Sequence, residues 1–384
     1  MVMHYIGFST AFDETEQYQG NIAGNLKMHY IAQNAKRSGY DVQIFSLCKT
    51  AKKGYQKAYI NNSEEIPIRH ICSVGSSNIL LTIFNRILFY LQLAMYVIFH
   101  VEDEDTVIVY HSMRITNILY YLSKLKRCPF ILEVEEIYAC AANGLQPYFE
   151  KEIDQIKRYN QFIFVNDYIP KYLKCDPSQY IVVYGAYEKV KEYPKYADGK
   201  IHAVYAGAIE TLNRGAFKAI EAAQHTSENV VMHIIGKGTA QDMRDALEQI
   251  RKVNERLGYE KIRYDGFLSG EELDRYLSAC HIGLGAYSIK DNYSNFIFPS
   301  KLLSYMVHNL KVVTGRSACY EESKIAEDWY LFDSDDNECI AKAIDAAASD
   351  QKEISNQALI ETLDSQLVQY FQTMKEKKRW YNEE

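Results

Sequence analysis

Apolar and polar positions along this chain alternate between two periods. Short runs rich in Val, Ile, Tyr and Phe read as strands: Tyr5–Ser9, Val42–Leu47, Thr106–Tyr110, Phe130–Val134, Phe162–Val165 and Ile181–Gly185. Stretches of helical periodicity separate them. A polar loop, Thr10–Gly24, holds Gly20 and Gly24, and the helix that follows, Asn25–Ser38, is stopped by Gly39. This alternation predicts βαβ units on a parallel sheet. Lys189–Lys200 is polar, with one Pro and one Gly, and reads as a linker. The pattern then restarts, with strands at His202–Ala206, Val230–Ile235, Ile262–Tyr264, His281–Ala286 and Leu310–Thr314. Helices fit Gly215–Ala223, Ala240–Leu257 and Gly270–Ala279, and a short one opens at Phe298-Pro299-Ser300-Lys301. The tail from Gln351 reads as one or two helices without a following strand. The expectation is an α/β chain of two Rossmann-like, doubly wound domains facing a central cleft. The first spans 1–188, the linker 189–200 and the second 201–357, with a helix over about 358–384 packing back on the first.

One segment breaks the pattern. Ile79–Phe99 is long enough to span a bilayer, which needs about 20 apolar residues. Thr82, Asn85, Arg86, Gln92 and Tyr96 fall on one helical stripe, and a charge in mid-span argues against a free-standing membrane helix. Two readings stay open. One is a buried domain helix. The other is an interfacial helix that meets an anionic membrane with the help of Lys49, Lys52, Lys53 and Lys57.

Composition narrows the function classes. The 384 residues are 47% hydrophobic and 24% charged, which allows a packed core in each of two domains. A net charge of −7 argues against a nucleic-acid partner. The eight cysteines are scattered with no C-x-x-C pair, so reduced thiols in a cytoplasmic protein are expected rather than a zinc or redox site. The opening MVMHYIGFSTAF lacks the charged and apolar regions of a signal peptide. Two D-x-D runs occur. Asp103–Asp105 precedes a strand, and Asp333–Asp335 follows the apolar stretch Trp329–Phe332 too late for a domain to use it, so neither is assigned to a metal.

The candidate chemistry gathers at strand ends. At Phe298-Pro299-Ser300-Lys301, Pro occupies a first-turn position, and the helix start brings unpaired N–H groups and a partial positive charge. Lys301 adds a full charge. Deep in an α/β chain this is an anion site, and the anion expected is the diphosphate of a nucleotide-activated sugar. Two weaker motifs accompany it: Gly207 followed by Arg214-Gly215, and the G-x-G of Gly236-Lys237-Gly238. In the first half, Glu133-Val134-Glu135-Glu136 ends a strand, with Glu133 and Glu135 on one face and Glu136 on the other. A sugar-binding cluster and a solvated turn are equal readings of it. His111 ends the neighbouring strand, and a lone histidine there is more often structural.

Taken in order, VYAGAIETLNRGAFKAIEAA, HIIGKG, IRYDGFLSGEELDRYLSACHIGLGAY and FPSKLLSYM…LKVV resemble the donor-binding half of family-4 glycosyltransferases with the GT-B fold. The likeness is closest to the bacterial polysaccharide-assembly branch and covers roughly residues 200–345. It implies that Arg214 holds the diphosphate in place of the family's lysine, with the N–H groups of Ser300 and Lys301 on the phosphates. Gly207, Gly236 and Gly238 then belong to the nucleoside pocket, with Asp265 and Phe267 near the base and Ser304 near the ribose. Arg214, Lys301 and Glu135 are the expected catalytic residues. Gly20, His111, Glu133 and Glu136 are expected to bind the acceptor. The chain departs from the family at Ala208, where an arginine is usual, and at Phe296 and Ser304, where two glutamates are usual. The implied activity is retaining, metal-independent transfer of a sugar from a nucleoside-diphosphate donor, UDP favoured, with no bound cofactor. The implied acceptor is a glycan or lipid-linked glycan of bacterial surface polysaccharide synthesis, at the inner face of the membrane. The rivals are a non-catalytic GT-B partner subunit, motivated by the three departures, and a sugar-nucleotide epimerase.

Overall fold

The structure, a computed structural model, describes every residue except 19–21, 76–77, 142–144, 188–189, 192, 212–214, 287–288, 290–294 and 384; for 22, 23, 141 and 377–383 it describes the backbone alone. Gly20 and Arg214 therefore lie outside the described residues. The chain divides into two compact units, Met1–Ala186 with Thr362–Glu384, and Tyr187–Glu361.

The strands of unit 1 are β1 (Val2–Gly7), β2 (Asp41–Ser46), β3 (Gly54–Gln56), β4 (Tyr59–Asn61), β5 (Ile68–His70), β6 (Ser73–Gly75), β7 (Thr106–Tyr110), β8 (Phe130–Val134), β9 (Phe162–Phe164) and β10 (Tyr180–Val182). Eight form one sheet in the order β10-β9-β8-β7-β1-β2-β5-β4, parallel except for β4 against β5, and β3 pairs with β6 as a separate ribbon. Its helices are α1 (Ile22–Arg37), α2 (Ile79–His100), α3 (Thr116–Ser123), α4 (Tyr138–Ala141), α5 (Phe149–Ile156) and α6 (Tyr168–Leu173). β1 starts earlier than the apolar pattern predicts. Its polar His4 is buried, with ring nitrogens 2.8 Å from the Tyr96 hydroxyl and 3.1 Å from Asp105, so it is satisfied inside the sheet. α1 likewise starts inside the stretch read as loop. The four short strands between 54 and 75 have no counterpart in the predicted elements. They run three residues each and keep partly exposed faces, so they leave no alternation to read.

Unit 2 holds β11 (Ile201–Ala206), α7 (Gly215–Ala223), β12 (Val230–Ile235), α8 (Ala240–Leu257), β13 (Ile262–Tyr264), α9 (Gly270–Ala279), β14 (Ile282–Gly285), α10 (Ser300–Val307), β15 (Lys311–Gly315), α11 (Ala318–Glu321), β16 (Tyr330–Phe332) and α12 (Asn337–Ser349). Its six-stranded sheet is parallel throughout, in the order β13-β12-β11-β14-β15-β16. The order reverses between β11 and β14, which is where an open α/β sheet binds ligands at its carboxyl edge. β16 corrects the expectation that nothing usable follows Trp329–Phe332. Its Phe332 is buried, and α12 packs over it and β15 through Ile340 and Ile344. Asp333 does follow a strand, but it pairs with Arg316, and Asp335 pairs with Lys218 at 3.3 Å. Asp103 accepts from the Arg127 N–H at 3.0 Å, and Asp105 accepts from the Val2 N–H at 2.8 Å.

The last helix, α13 (Gln357–Glu383), returns the chain to unit 1. Leu367 and Phe371 are fully buried, Asp364 accepts from the Tyr30 hydroxyl at 3.0 Å and pairs with Arg37 at 2.5 Å, and Lys375 caps the Gly39 carbonyl. Burying each of the two apolar side chains contributes about 1.5–3 kcal/mol.

Candidate functional site

In unit 2, β11 and β12 end side by side, and their loops continue the pairing. The Gly207 N–H donates to the Ile235 carbonyl at 2.9 Å and the Ile209 N–H to the Lys237 carbonyl at 3.0 Å. This contact explains the G-x-G. A Cβ on Gly236 would stand 1.8 Å from the Gly207 carbonyl oxygen, and one on Gly238 would stand 1.9 Å from that of Ile209. Gly236 also has φ +150°. Both glycines are therefore required by backbone packing at the carboxyl edge of the sheet.

Lys301, in the first turn of α10, reaches back to the end of β11. Its Nζ lies 3.2 Å from the Tyr205 hydroxyl and 4.3 Å from the centre of that ring. A Cβ on Gly207 would meet Lys301 Nζ at 2.6 Å, and one on Gly215 would meet the Tyr205 hydroxyl at 2.6 Å, so both glycines make room for this pair. The Tyr205 hydroxyl donates to the Ala208 carbonyl at 3.1 Å. The openings of α7 and α10 and the end of β11 thus converge on the Lys301–Tyr205 pair. Burial pushes Lys301 down to about 8, against the favourable charge of Glu210.

The α10 start is held from below. Pro299 is the residue before the helix, in extended conformation, rather than within its first turn as expected. Phe298 is buried with its ring 5.7 Å from Tyr320 and 5.9 Å from Trp329. Ser300 is exposed and Ser304 half-buried, on one face of the helix. Phe296, where the resemblance has a carboxylate, is buried.

The last two donor-side candidates differ sharply. Phe267 is 55% exposed, with Lys237 Nζ 4.2 Å from its ring centre, and offers an open aromatic face beside the β12 loop. Asp265 is committed elsewhere. It lies 2.9 Å from His233 Nδ1, His233 Nε2 lies 2.8 Å from His202 Nδ1, and His202 Nε2 lies 3.0 Å from Asp198. Burial alone would raise the Asp265 carboxyl, but His233, Tyr276 and Arg263 together hold it below the ordinary value. Asp265 is thus tied to a chain of imidazoles before it can meet a base.

In unit 1, the carboxyl edge gathers a second cluster. Glu133 is fully buried at the end of β8, the Tyr5 hydroxyl donates to it, and Glu135 pairs with Lys27 of α1. Burial and the neighbouring Glu135 charge push the Glu133 carboxyl well up, toward its neutral form. Glu136 is half-exposed and lies apart from this pair in the alternation. The solvated-turn reading of these acids therefore does not hold for Glu133. His111 is fully engaged, with Nδ1 2.8 Å from the Thr116 hydroxyl and Nε2 2.8 Å from Glu152, which also accepts the Tyr138 and Ala139 N–H groups at 2.8 and 2.7 Å. An acceptor contact through His111 would break one of these bonds. Tyr205, Lys27 and Tyr5 were missed in the sequence. Lys27 left a readable trace, a lysine on the α1 face shared by Tyr30, Ile31 and Asn34, all buried. Among the described residues no group of three His, Cys, Asp or Glu side chains could hold a metal ion.

Residues 200–350 match the family model described as Glycosyl transferases group 1. No curated protein matches the chain. Among solved structures, Anabaena Alr3699/HepE in complex with UDP is 11% identical with a TM-score of 0.61, over 98% of this chain and 99% of that one. The lipopolysaccharide outer core galactosyltransferase WaaB in its apo form is 13% identical with a TM-score of 0.65, over 100% of both chains. The E. coli trehalose-6-phosphate structure bound with UDP-2-fluoro glucose is 12% identical with a TM-score of 0.59, over 100% of this chain and 98% of that one. The chain has the GT-B fold, two Rossmann-like domains, and with the group 1 match over unit 2 this supports a glycosyltransferase.

Proposed function

We propose that this protein transfers a hexosyl group from a nucleoside-diphosphate sugar, UDP favoured, to a glycan or lipid-linked glycan acceptor of bacterial surface polysaccharide synthesis. The observation that carries this reading is the convergence of the α7 and α10 starts and Gly207 on the pair formed by half-buried Lys301 with Tyr205. Such a site favours an anion whose charge grows as the glycosidic bond breaks. The UDP and UDP-sugar of two GT-B neighbours support that choice of donor. Phe267 is the proposed stacking face for the base and Ser304 a ribose contact. Arg214, the Ser300 N–H and Lys301 hold the diphosphate, and Glu135, backed by the buried Glu133, faces the acceptor, with Glu136, Gly20 and His111 near it. Transfer is retaining and needs no divalent metal, and the enzyme works at the cytoplasmic face of the membrane.

A nucleotide panel tests the donor reading. UDP is expected to raise the thermal midpoint, and UDP-sugars to be hydrolysed slowly without acceptor, with EDTA leaving the rate nearly unchanged. Loss of activity in EDTA restored by Mn²⁺ would overturn the metal-independent mechanism. The buried Phe296 favours the second reading, a GT-B partner without donor chemistry. UDP binding without hydrolysis of any sugar nucleotide would select it.

A further inference from the structure

α2 packs one side on unit 1, through Phe89, Leu93 and Val97 with polar groups among them, and leaves a second apolar side open. Asn85, Gln92 and Tyr96 face the protein: Asn85 bonds the Val74 backbone, Gln92 bonds the Cys72 N–H at 2.8 Å and its carbonyl at 3.0 Å, and Tyr96 stacks on Phe45 at 3.8 Å. The opposite face is apolar and open, with Ile83 54%, Phe84 52%, Ile87 63%, Leu91 54% and Ile98 42% exposed. An ordinary surface helix turns its polar stripe to water and its apolar stripe to the core. Of the stripe read from the sequence, Asn85, Gln92 and Tyr96 turn inward while Thr82 and Arg86 are exposed, so Ile79–Phe99 is buried on one side only.

Charge identifies what covers the face. Lys49 is held below its usual range by burial and by the nearby charges of Arg114 and Arg86, so these three cations lie together. Arg86 is on the amino-terminal half of α2, while Lys49 and Arg114 follow β2 and β7 at the carboxyl edge of the sheet. Lys52 and Lys53 add exposed charge next to the β3–β6 ribbon, against which α2 packs. In a chain of net charge −7, a basic cluster beside an open apolar stripe suits an anionic surface that is apolar beneath. The other end of α2 runs into exposed Glu102, Asp103 and Glu104, which such a surface repels. We infer that α2 is an interfacial helix that seats unit 1 on an anionic lipid surface, its amino-terminal half lying deepest. The helix does not cross the bilayer, because its polar side is bonded to unit 1. This inference does not depend on the donor chemistry proposed above.

The test uses full-length protein with phosphatidylcholine vesicles, with and without phosphatidylglycerol, at low and high salt. Co-sedimentation with the anionic vesicles is expected to exceed that with neutral ones about tenfold or more at low salt and to weaken with salt. The double variant Ile87→Glu/Leu91→Glu, at exposed positions, is expected to keep its thermal midpoint and lose vesicle binding about tenfold or more. Lys49→Gln with Arg86→Gln is expected to lose the preference for anionic vesicles. Wild-type protein that stays in the supernatant, or a double variant that binds equally well, overturns the inference. A wild-type dimer in sedimentation velocity that the double variant dissolves, without vesicle binding, assigns the face to a second copy and also overturns it.

Discussion

Lys301 holds its ammonium over the Tyr205 ring with burial pushing it down to about 8. A diphosphate arriving beside it restores the charge that burial disfavours, so binding favours the protonated form. Below that value the proton is already in place. Above it, each bound anion must bring a proton from solution. UDP affinity is therefore expected to fall as pH rises through about 8, measured by calorimetry, and to lose that dependence in Lys301→Ala. The same variant is expected to weaken UDP binding by about 1.5–3 kcal/mol, the worth of a charged hydrogen bond, and to lower kcat more than it raises KM. In unit 1, Lys27 neutralises Glu135 beside the buried Glu133. Lys27→Met should cost about 3 kcal/mol in urea unfolding, because it strands a carboxylate, whereas Glu133→Gln keeps a neutral group in place and should cost far less. Lys301, Gly207 and Glu133 were legible because strand ends punctuate the sequence. Tyr205, Lys27 and Tyr5 were not, because only register and helix packing bring them to those ends.

At the scale of elements, the two loops after β11 and β12 show how a motif can be right in place and different in cause. The G-x-G marks the carboxyl edge as expected, and the close approach its glycines allow is that of neighbouring carbonyls. Gly236→Ala should therefore destabilise the protein by roughly 1–3 kcal/mol or more, from an unfavourable φ and a steric clash together. Gly258→Ala is the control: its φ is +77°, nothing lies near its Cβ, and the cost should be about 1 kcal/mol. Thermal unfolding of the two variants makes the comparison. Five elements of unit 2, α7, β12, α8, β13 and α9, coincide with the predicted spans, since each has a clean period and all but β13 have a Gly, Thr or Ser at an edge. α2 was legible as a helix with a polar stripe, but not in its orientation. Periodicity fixes which residues share a face, and only the neighbours decide which face turns inward.

For the whole molecule, the parallel sheets and the point where each strand order reverses follow from the alternation of strand and helix, which is why the fold could be read from sequence. The chemistry was less legible, because Arg214 and Ser304 carry roles that rest on likeness to a family rather than on spacing alone. The return of α13 to unit 1 has a consequence for how the chain is made. A ribosome releases residues 1–186 long before Leu367 and Phe371 exist to cover them, and unit 2 is finished first among complete units. Unit 1 must wait, with an apolar strip uncovered, until α13 follows unit 2 off the ribosome. A chain ending at Glu361 should thus leave the Tyr30 and Arg37 partners and two core side chains missing. It is expected to melt in two steps, with the earlier one belonging to unit 1, whereas the full chain holds unit 1 to a higher temperature. The closing helix in effect makes the folding of unit 1 wait on the synthesis of unit 2.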